Sequence, residues 1–360
     1  WILRAKEERL LGTRLEADAE QRARAIESRF RVDLTAIWGL SSFVRRGQPG
    51  SRDEFGEVAG RVQNGNHNIH AAYWIPQIEA DERELYELAA RSEGLTTYET
   101  LELGVDGRLH PAFPSNTEDL LPIYFAEPMD SQLAVLGLDL RSVDDLRELI
   151  DEAIATGRPS VSPAIAWADD PQGAKVFVQL RAVYTDLITG DGPELRDLRK
   201  QKLLGLLAVL IRCDDVLDEA LSGFPPGIDV RMLDTSAAAG RDCMCIYRSE
   251  SKSTEFPSPA DAPPTAVRIQ PPAVTLDVPG HQWSIECRPT ADYLAEQAGL
   301  LPIISLSFGL LLTAVLTTYA NTLLGRTEKV QQLVDRRTAE LDYERFLLET
   351  LLDYSPDYIY

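Results

Sequence analysis

The run Gly299 to Ala320, GLLPIISLSFGLLLTAVLTTYA, constrains this chain more than any other feature. It is uncharged, and no charged residue stands between Glu296 and Arg326. As an α-helix rising about 1.5 Å per residue it is roughly 33 Å long, enough to cross the hydrocarbon core of a bilayer. The core helix of a soluble domain seldom runs so far without a polar face. Pro302 falls near the start, where a helix tolerates it best. Orientation follows from the flanks. Asp292 and Glu296 precede the span, whereas Arg326, Lys329, Arg336 and Arg337 follow it, and basic residues mark the cytoplasmic side. The expectation is a protein of the cell (inner) membrane. Residues before 299 lie in the periplasm or extracellular space, and those after 320 in the cytoplasm. The opening Trp1-Ile2-Leu3-Arg4 reads as the exit of an earlier membrane helix, although a trimmed soluble start would look similar.

Ahead of the span, residues 4–45 read as one long helix. Charges alternate with apolar residues at Leu10, Leu11, Leu15, Ile26, Phe30, Leu34, Ile37 and Trp38, the pattern of a stalk. Gly47-Gln-Pro-Gly50 stops it. A shorter helix is expected over 51–64. The apolar run Ile69 to Ile75, closed by Pro76, precedes a charged helix over 79–93. Strand-like runs follow at 98–105, 121–125 and 176–184, with a helix over 143–155 between the second and third. A second, shorter unit opens with an apolar helix expected over 202–220 and continues with runs near 228–233, 243–248, 273–278 and 283–288. Ser249 to Pro264 is rich in Ser, Pro and Ala and reads as a loop. Two α+β units on one stalk follow from this order.

A net charge of −21, from 57 acidic and 36 basic residues, repels phosphate backbones and excludes nucleic acid as a partner. Cys243 and Cys245 are too close in sequence for a zinc knuckle. In an oxidising compartment one of them pairs with Cys287; the alternative, four buried free thiols including Cys213, stays open. The chain has no Gly-x-Ser-x-Gly elbow, no His-Glu-x-x-His and no phosphate loop. His67 and His70 are spaced to share a helix face, but no third metal ligand accompanies them. No catalysis, metal or cofactor is expected of this segment.

Several stretches in order resemble the CHASE sensor domain. They are Ala71-Ala72-Tyr73-Trp74-Ile75-Pro76, Glu82-Arg83-Glu84-Leu85-Tyr86, Gly94, Glu118-Asp119-Leu120-Leu121-Pro122-Ile123-Tyr124, Gly137-Leu138-Asp139-Leu140, Ala153 to Gly157, and Val183-Tyr184. The resemblance covers residues 30–190 well and the second unit only by position. It implies an α+β fold in which a long stalk helix carries two PAS-like α/β subdomains, followed by a transmembrane helix and a cytoplasmic coiled-coil linker. The corresponding divisions are 1–50 (membrane exit and stalk), 51–190 (membrane-distal, ligand-binding), 191–298 (membrane-proximal), 299–320 (span), 321–352 (signalling helix) and 353–360.

In the plant members of the family an adenine-type cytokinin is held by an acid just before the Pro-containing strand. The matching position is Glu118, with Asp119 beside it, and a carboxylate accepts well from ring or exocyclic N–H groups. By the same resemblance Tyr73 and Trp74 stack on a flat ligand, while Tyr124, Ser162, Leu180 and Tyr184 line the sheet side. Leu180 stands where the plant receptors have a hydroxyl residue, and Ala182 replaces the usual proline. The ligand expected is therefore a small molecule, adenine-like or another small metabolite. Asp139, just before a helix, reads as a cap or turn residue, and Arg83, among acids, as an ion-pair partner.

Beyond the span, 327–352 reads as helix, with Leu323, Val330, Val334, Leu341 and Leu348 at spacings of seven and four, and Arg337 and Glu344 at the remaining seam positions. Such a seam favours a parallel homodimer; a single amphipathic helix shows the same pattern. The ending, with Ser355-Pro356-Asp357 before Tyr358, resembles the opening of a cytoplasmic PAS domain. The output expected of such a receptor is a histidine kinase. The alternatives are a diguanylate cyclase or phosphodiesterase receptor with the same sensor, or a protein-binding membrane scaffold.

Overall fold

The computed structural model describes residues 2–45, 48–112, 119–129, 135–166, 174–186, 188, 190, 192–235, 243–256, 272–279, 281–297 and 301–353. It divides into two units, Trp1–Gln297 and Ala298–Tyr360.

In the first unit, helix α1 (Ile2–Leu40) buries Leu15, Ala19, Ala23, Ile26, Phe30, Ile37 and Leu40. The spacing of three and four puts them on one stripe. A short hairpin, β1 (Val44–Arg45) with β2 (Gln48–Pro49), turns the chain into helix α2 (Arg52–Gly65). A reciprocal box opens α2: Ser51 accepts from Glu54 N, and Glu54 accepts from Ser51 N.

Strand β3 (Ile69–Pro76) and helix α3 (Arg83–Ser92) come next, followed by the hairpin β4 (Leu101–Leu103) and β5 (Leu109–Pro111). After them come β6 (Phe125–Glu127), helix α4 (Asp144–Thr156), β7 (Ser160–Val161), β8 (Ile165–Ala166), β9 (Lys175–Tyr184), helix α5 (Pro193–Gln201) and β10 (Leu203–Arg212). The sheet runs β6-β3-β10-β9-β7, with β8 also on β9, and every pairing is antiparallel. Taken in chain order these five strands lie 2-1-5-4-3, a PAS-like sheet.

The run expected as a helix over 202–220 is a strand followed by a helix: β10, then α6 (Cys213–Leu221). Leu203 to Arg212 occupies the sheet centre and is buried on both faces, so its apolar residues run on without alternation. Only glycine fits at position 205, since a Cβ there would stand 2.4 Å from the Ile75 carbonyl oxygen. The first sheet therefore extends to Arg212 rather than closing near residue 190.

The second sheet is β11 (Ile228–Asp234), β12 (Cys243–Arg248), β13 (Ser253–Glu255), β14 (Ala273–Val278) and β15 (His281–Pro289), ordered β13-β12-β11-β15-β14. Helix α7 (Ala291–Gln297) follows. Burial along β11 alternates, as in a strand with one face on a core. Trp283 stacks on Phe177 with ring centroids 4.5 Å apart and lies 4.7 Å from the Phe30 ring, so β15, β9 and α1 share one core.

Of the two alternatives open for the cysteines, the pairing of Cys243 or Cys245 with Cys287 is absent. Strand β11 lies between β12 and β15, which puts those strands about 10 Å apart, beyond disulfide reach. All four cysteines are free thiols.

Where α1, β3 and α6 meet, Asp33 is fully buried and accepts from Arg29 Nη2 and Asn68 Nδ2, each at 2.9 Å. Burial nonetheless pushes its carboxyl up, against the pull of Asn68 and Arg29.

The second unit is a single helix, α8 (Leu301–Asp353). Among the described residues one stretch, Ile304–Thr322, is long and apolar enough to cross a membrane, with mean hydropathy 1.4. Thr313, Thr317, Thr318 and Thr322 donate their hydroxyls to carbonyls four residues back, at 2.6–2.8 Å. Their polarity is thereby satisfied inside the helix, as lipid requires. Residues 354–360, with Ser355 to Tyr358 of the expected PAS opening, lie outside the described residues.

Candidate ligand site

The two faces of the first sheet do different jobs. On one face Trp74, Leu207, Val209, Ile211 and Phe177 pack into the core that α1 and α2 complete. The other face, carrying Tyr73, Ile75, Leu180, Leu206, Ala208 and Leu210, packs against α4 and the loops before it. Strand alternation forces this division.

Register then makes a cavity. Ala208, at the centre of β10, lies opposite Tyr73 on one side and Leu180 on the other. Ala126 lies opposite Tyr73 on β6, and Ala71 opposite Leu210. Small residues at the sheet centre leave a gap that the covering layer does not close. The result is an apolar cavity of about 140 Å³ between the sheet and its cover. Tyr73, Ala208, Leu210, Val176 and Val178 form its floor, and Ile123, Leu138, Leu140 and Leu146 form the wall opposite. Among the described lining residues Tyr73 presents its ring rather than its hydroxyl, and burial alone pushes that hydroxyl's pKa up. Cavities of about this size stay dry and admit a single aromatic ring.

Of the sequence-derived site residues, Tyr73 lines this cavity, and Leu180, fully buried, belongs to the apolar core around it. Trp74 does not join them. It faces the opposite side, with its ring 5.5 Å from Phe43, so Tyr73 and Trp74 cannot clasp one ligand.

Tyr124 also lies in the helix-side core, among Tyr86, Tyr98 and Phe125 with centroids 4.8–5.7 Å away, and burial pushes its hydroxyl up to about 12. Ser162 is fully buried; it accepts from Val178 N at 2.9 Å and donates to the Pro163 carbonyl at 2.7 Å, which fixes the end of β7. Tyr184 donates to the Ile154 carbonyl at 2.7 Å, holding the end of α4; burial raises its hydroxyl to about 12.

Asp119 accepts from Gln77 Nε2 and belongs to a separate polar concavity with Arg141, Asp151 and Lys200. Glu118 lies outside the described residues. Asp139 is a positioning residue: its Oδ1 accepts from Leu121 N at 2.9 Å and Arg141 N at 3.1 Å, pinning the loop that carries Leu138 and Leu140. Arg83 pairs with Glu87 at 3.6 Å and also donates to the Ala112 carbonyl.

The residues that sequence reasoning missed are the apolar ones: every described lining residue other than Tyr73, from Ile123 and Leu140 in the cover to Val176, Ala208 and Leu210 on the sheet. Nothing local separates a cavity-lining Leu from a core Leu. No group among the described residues could hold a metal ion, and His70 is hydrogen-bonded to Asp215.

The family model described as "CHASE domain" matches residues 50–244, more than half of the chain. Among solved structures a "Methyl-accepting Chemotaxis protein X" is similar at 12% identity, covering 77% of this chain and 98% of that one, with a TM-score of 0.36. No curated protein matches.

Proposed function

From the premise that the chain belongs to the CHASE-domain family, a family of sensory, non-catalytic extracellular domains, we propose that it binds a small molecule in the cavity beneath Tyr73. The carrying observation is the cavity itself: about 140 Å³, apolar, and faced by the ring of Tyr73. It suits a ligand of about one ring that is apolar over its surface. An adenine-like ligand anchored on Asp119 is not what this geometry favours, because Asp119 turns into the polar concavity with Gln77.

In this reading the apolar stretch of α8 spans the membrane, with the sensor outside and the rest of the helix inside. Val330, Val334, Leu341 and Leu348 are exposed along α8 and form the seam of a parallel homodimer. Ligand acts by binding one of two arrangements of that dimer more tightly than the other. The family resemblance supports a histidine kinase as the output, with a cyclic-dinucleotide synthase or phosphodiesterase as the alternative.

The experiment is a thermal-shift screen of small aromatic and aliphatic metabolites on the full chain in nanodiscs, repeated on Ala208→Leu. Saturable hits that vanish in the variant support the site. Hits that persist unchanged, or none at all, refute it.

A further inference from the structure

Helix α6 carries Cys213 as its first residue, where the chain leaves β10 at the centre of the first sheet. Cys245 sits on β12 of the second sheet. Both are fully buried, in one apolar core. Contacts at both ends seat α6 on the second sheet. At its far end Tyr247 of β12 donates to the Leu221 carbonyl at 3.4 Å, and Thr254 of β13 donates to Asp218 Oδ1 at 2.6 Å. At its near end Val176 pairs with Arg212, and Lys175 beside it donates to the Cys243 carbonyl at 2.8 Å. Between these anchors Cys213 and Cys245 come together, close enough for one thiol to hydrogen-bond the other.

The other two cysteines stand apart from this pair. On a regular strand Cys243 and Cys245 would share a face, but the register shifts between Met232 and Leu233, so that Met244 is an extra residue on β12. Cys243 is left half-buried; burial raises its thiol, and the Arg231 guanidinium beside it opposes that rise. Cys287 lies two strands away on β15. Burial raises its thiol too, and its charged neighbours are Arg22 and Asp18 of α1.

Here Cys213 and Cys245 are free thiols. Burial pushes the Cys213 thiol up, and Cys245 beside it adds to the rise. A thiol held protonated and out of reach does not attack a disulfide, so the folded pair is inert, whereas in the folding chain both sulfurs are accessible. We propose that Cys213 and Cys245 are joined by a disulfide while the chain folds outside the cytoplasm. The step rests on the placement of the sensor outside, and it takes a disulfide donor of the kind that oxidising compartments supply. One cysteine attacks the donor as thiolate, forming a mixed disulfide and releasing one donor thiol. The other attacks that mixed disulfide, closes the Cys213–Cys245 bond and releases the second donor thiol. Two electrons and two protons leave the pair, and the donor disulfide is reduced to two thiols. The bond ties the helix that follows the central strand of the first sheet to the middle of the second sheet, so the two sheets move as one body.

The test uses the full chain in cell membranes. Cells are quenched in acid, the protein is denatured, and free thiols are blocked with N-ethylmaleimide; iodoacetamide then labels the thiols that reduction releases. Peptide fragmentation is expected to find the second label on Cys213 and Cys245 and the first on Cys243 and Cys287. Cys213→Ala is expected to move Cys245 to the first label, and Cys287→Ala to leave the bond in place. In a second arm the chain is purified, reduced and incubated with oxidised glutathione. A Cys213–Cys245 bond formed there but absent from cells upholds the pair and counts against the placement of the sensor outside. No such bond in either arm, or one that takes Cys243 or Cys287 in place of either partner, overturns the proposal.

Discussion

Filling the sheet cavity with Ala208→Leu separates a binding site from ordinary core. A cavity of about 140 Å³, at about 24 cal/mol per Å³, represents roughly 3 kcal/mol of packing that the fold forgoes. Leucine adds three carbons where Ala208 faces that space. At about 0.8 kcal/mol per buried CH₂ the gain is at most about 2.4 kcal/mol, and ordering the new side chain removes about 0.5–1 kcal/mol. The variant is therefore expected to be more stable by about 1–2 kcal/mol, a midpoint roughly 2–6 °C higher, and to bind no ligand. Thermal unfolding followed by tryptophan fluorescence, with and without the hits of the metabolite screen, reads both effects. A variant destabilised by more than about 1 kcal/mol would mean that the space under Tyr73 is already filled, and the site assignment would fall with it.

Other outcomes follow from the same geometry. Trp74→Ala should cost about 3–5 kcal/mol in unfolding experiments, since the ring is packed against Phe43, while Asp119→Asn should leave ligand affinity unchanged in the same screen. Ser162→Ala strands the half-buried Val178 N–H and should cost about 1–3 kcal/mol in chemical denaturation. The Asp33 carboxyl is raised above its ordinary 3.8, so the folded state holds that proton at a pH where the unfolded chain has lost it. Its contribution to stability is present at low pH and is lost as pH rises through the folded value. Asp33→Asn lacks this slope, and its stability relative to wild type should rise with pH from about 4 upward in paired thermal melts.

How far the sequence carried can be read from particular elements. The stalk was legible because Leu15, Ile26, Phe30 and Ile37 repeat at helical spacing, and α2 because the Gly47-Gln-Pro-Gly50 stop marks where a new helix begins. Runs with turn signals at both ends, such as Cys243–Arg248 and Ala273–Val278, appear as strands at the expected residues. Leu203–Arg212 was misread because a strand buried on both faces has no alternation to betray it, and that error hid Ala208 and Leu210 from the site. Tyr73 and Trp74 were grouped by the family resemblance, although adjacency on a strand guarantees opposite faces. The cavity depends on register, and register comes from long-range pairing of β3, β9 and β10 that no local pattern states.

Paired topology reporters test the central claim most directly: a sensor on one side of a membrane, joined by α8 to the other. An enzyme that is active only outside the cytoplasm is fused after Gln297 in one chain and after Asp353 in another. The account predicts activity from the first fusion and silence from the second. Activity from both, or from the second alone, would contradict it.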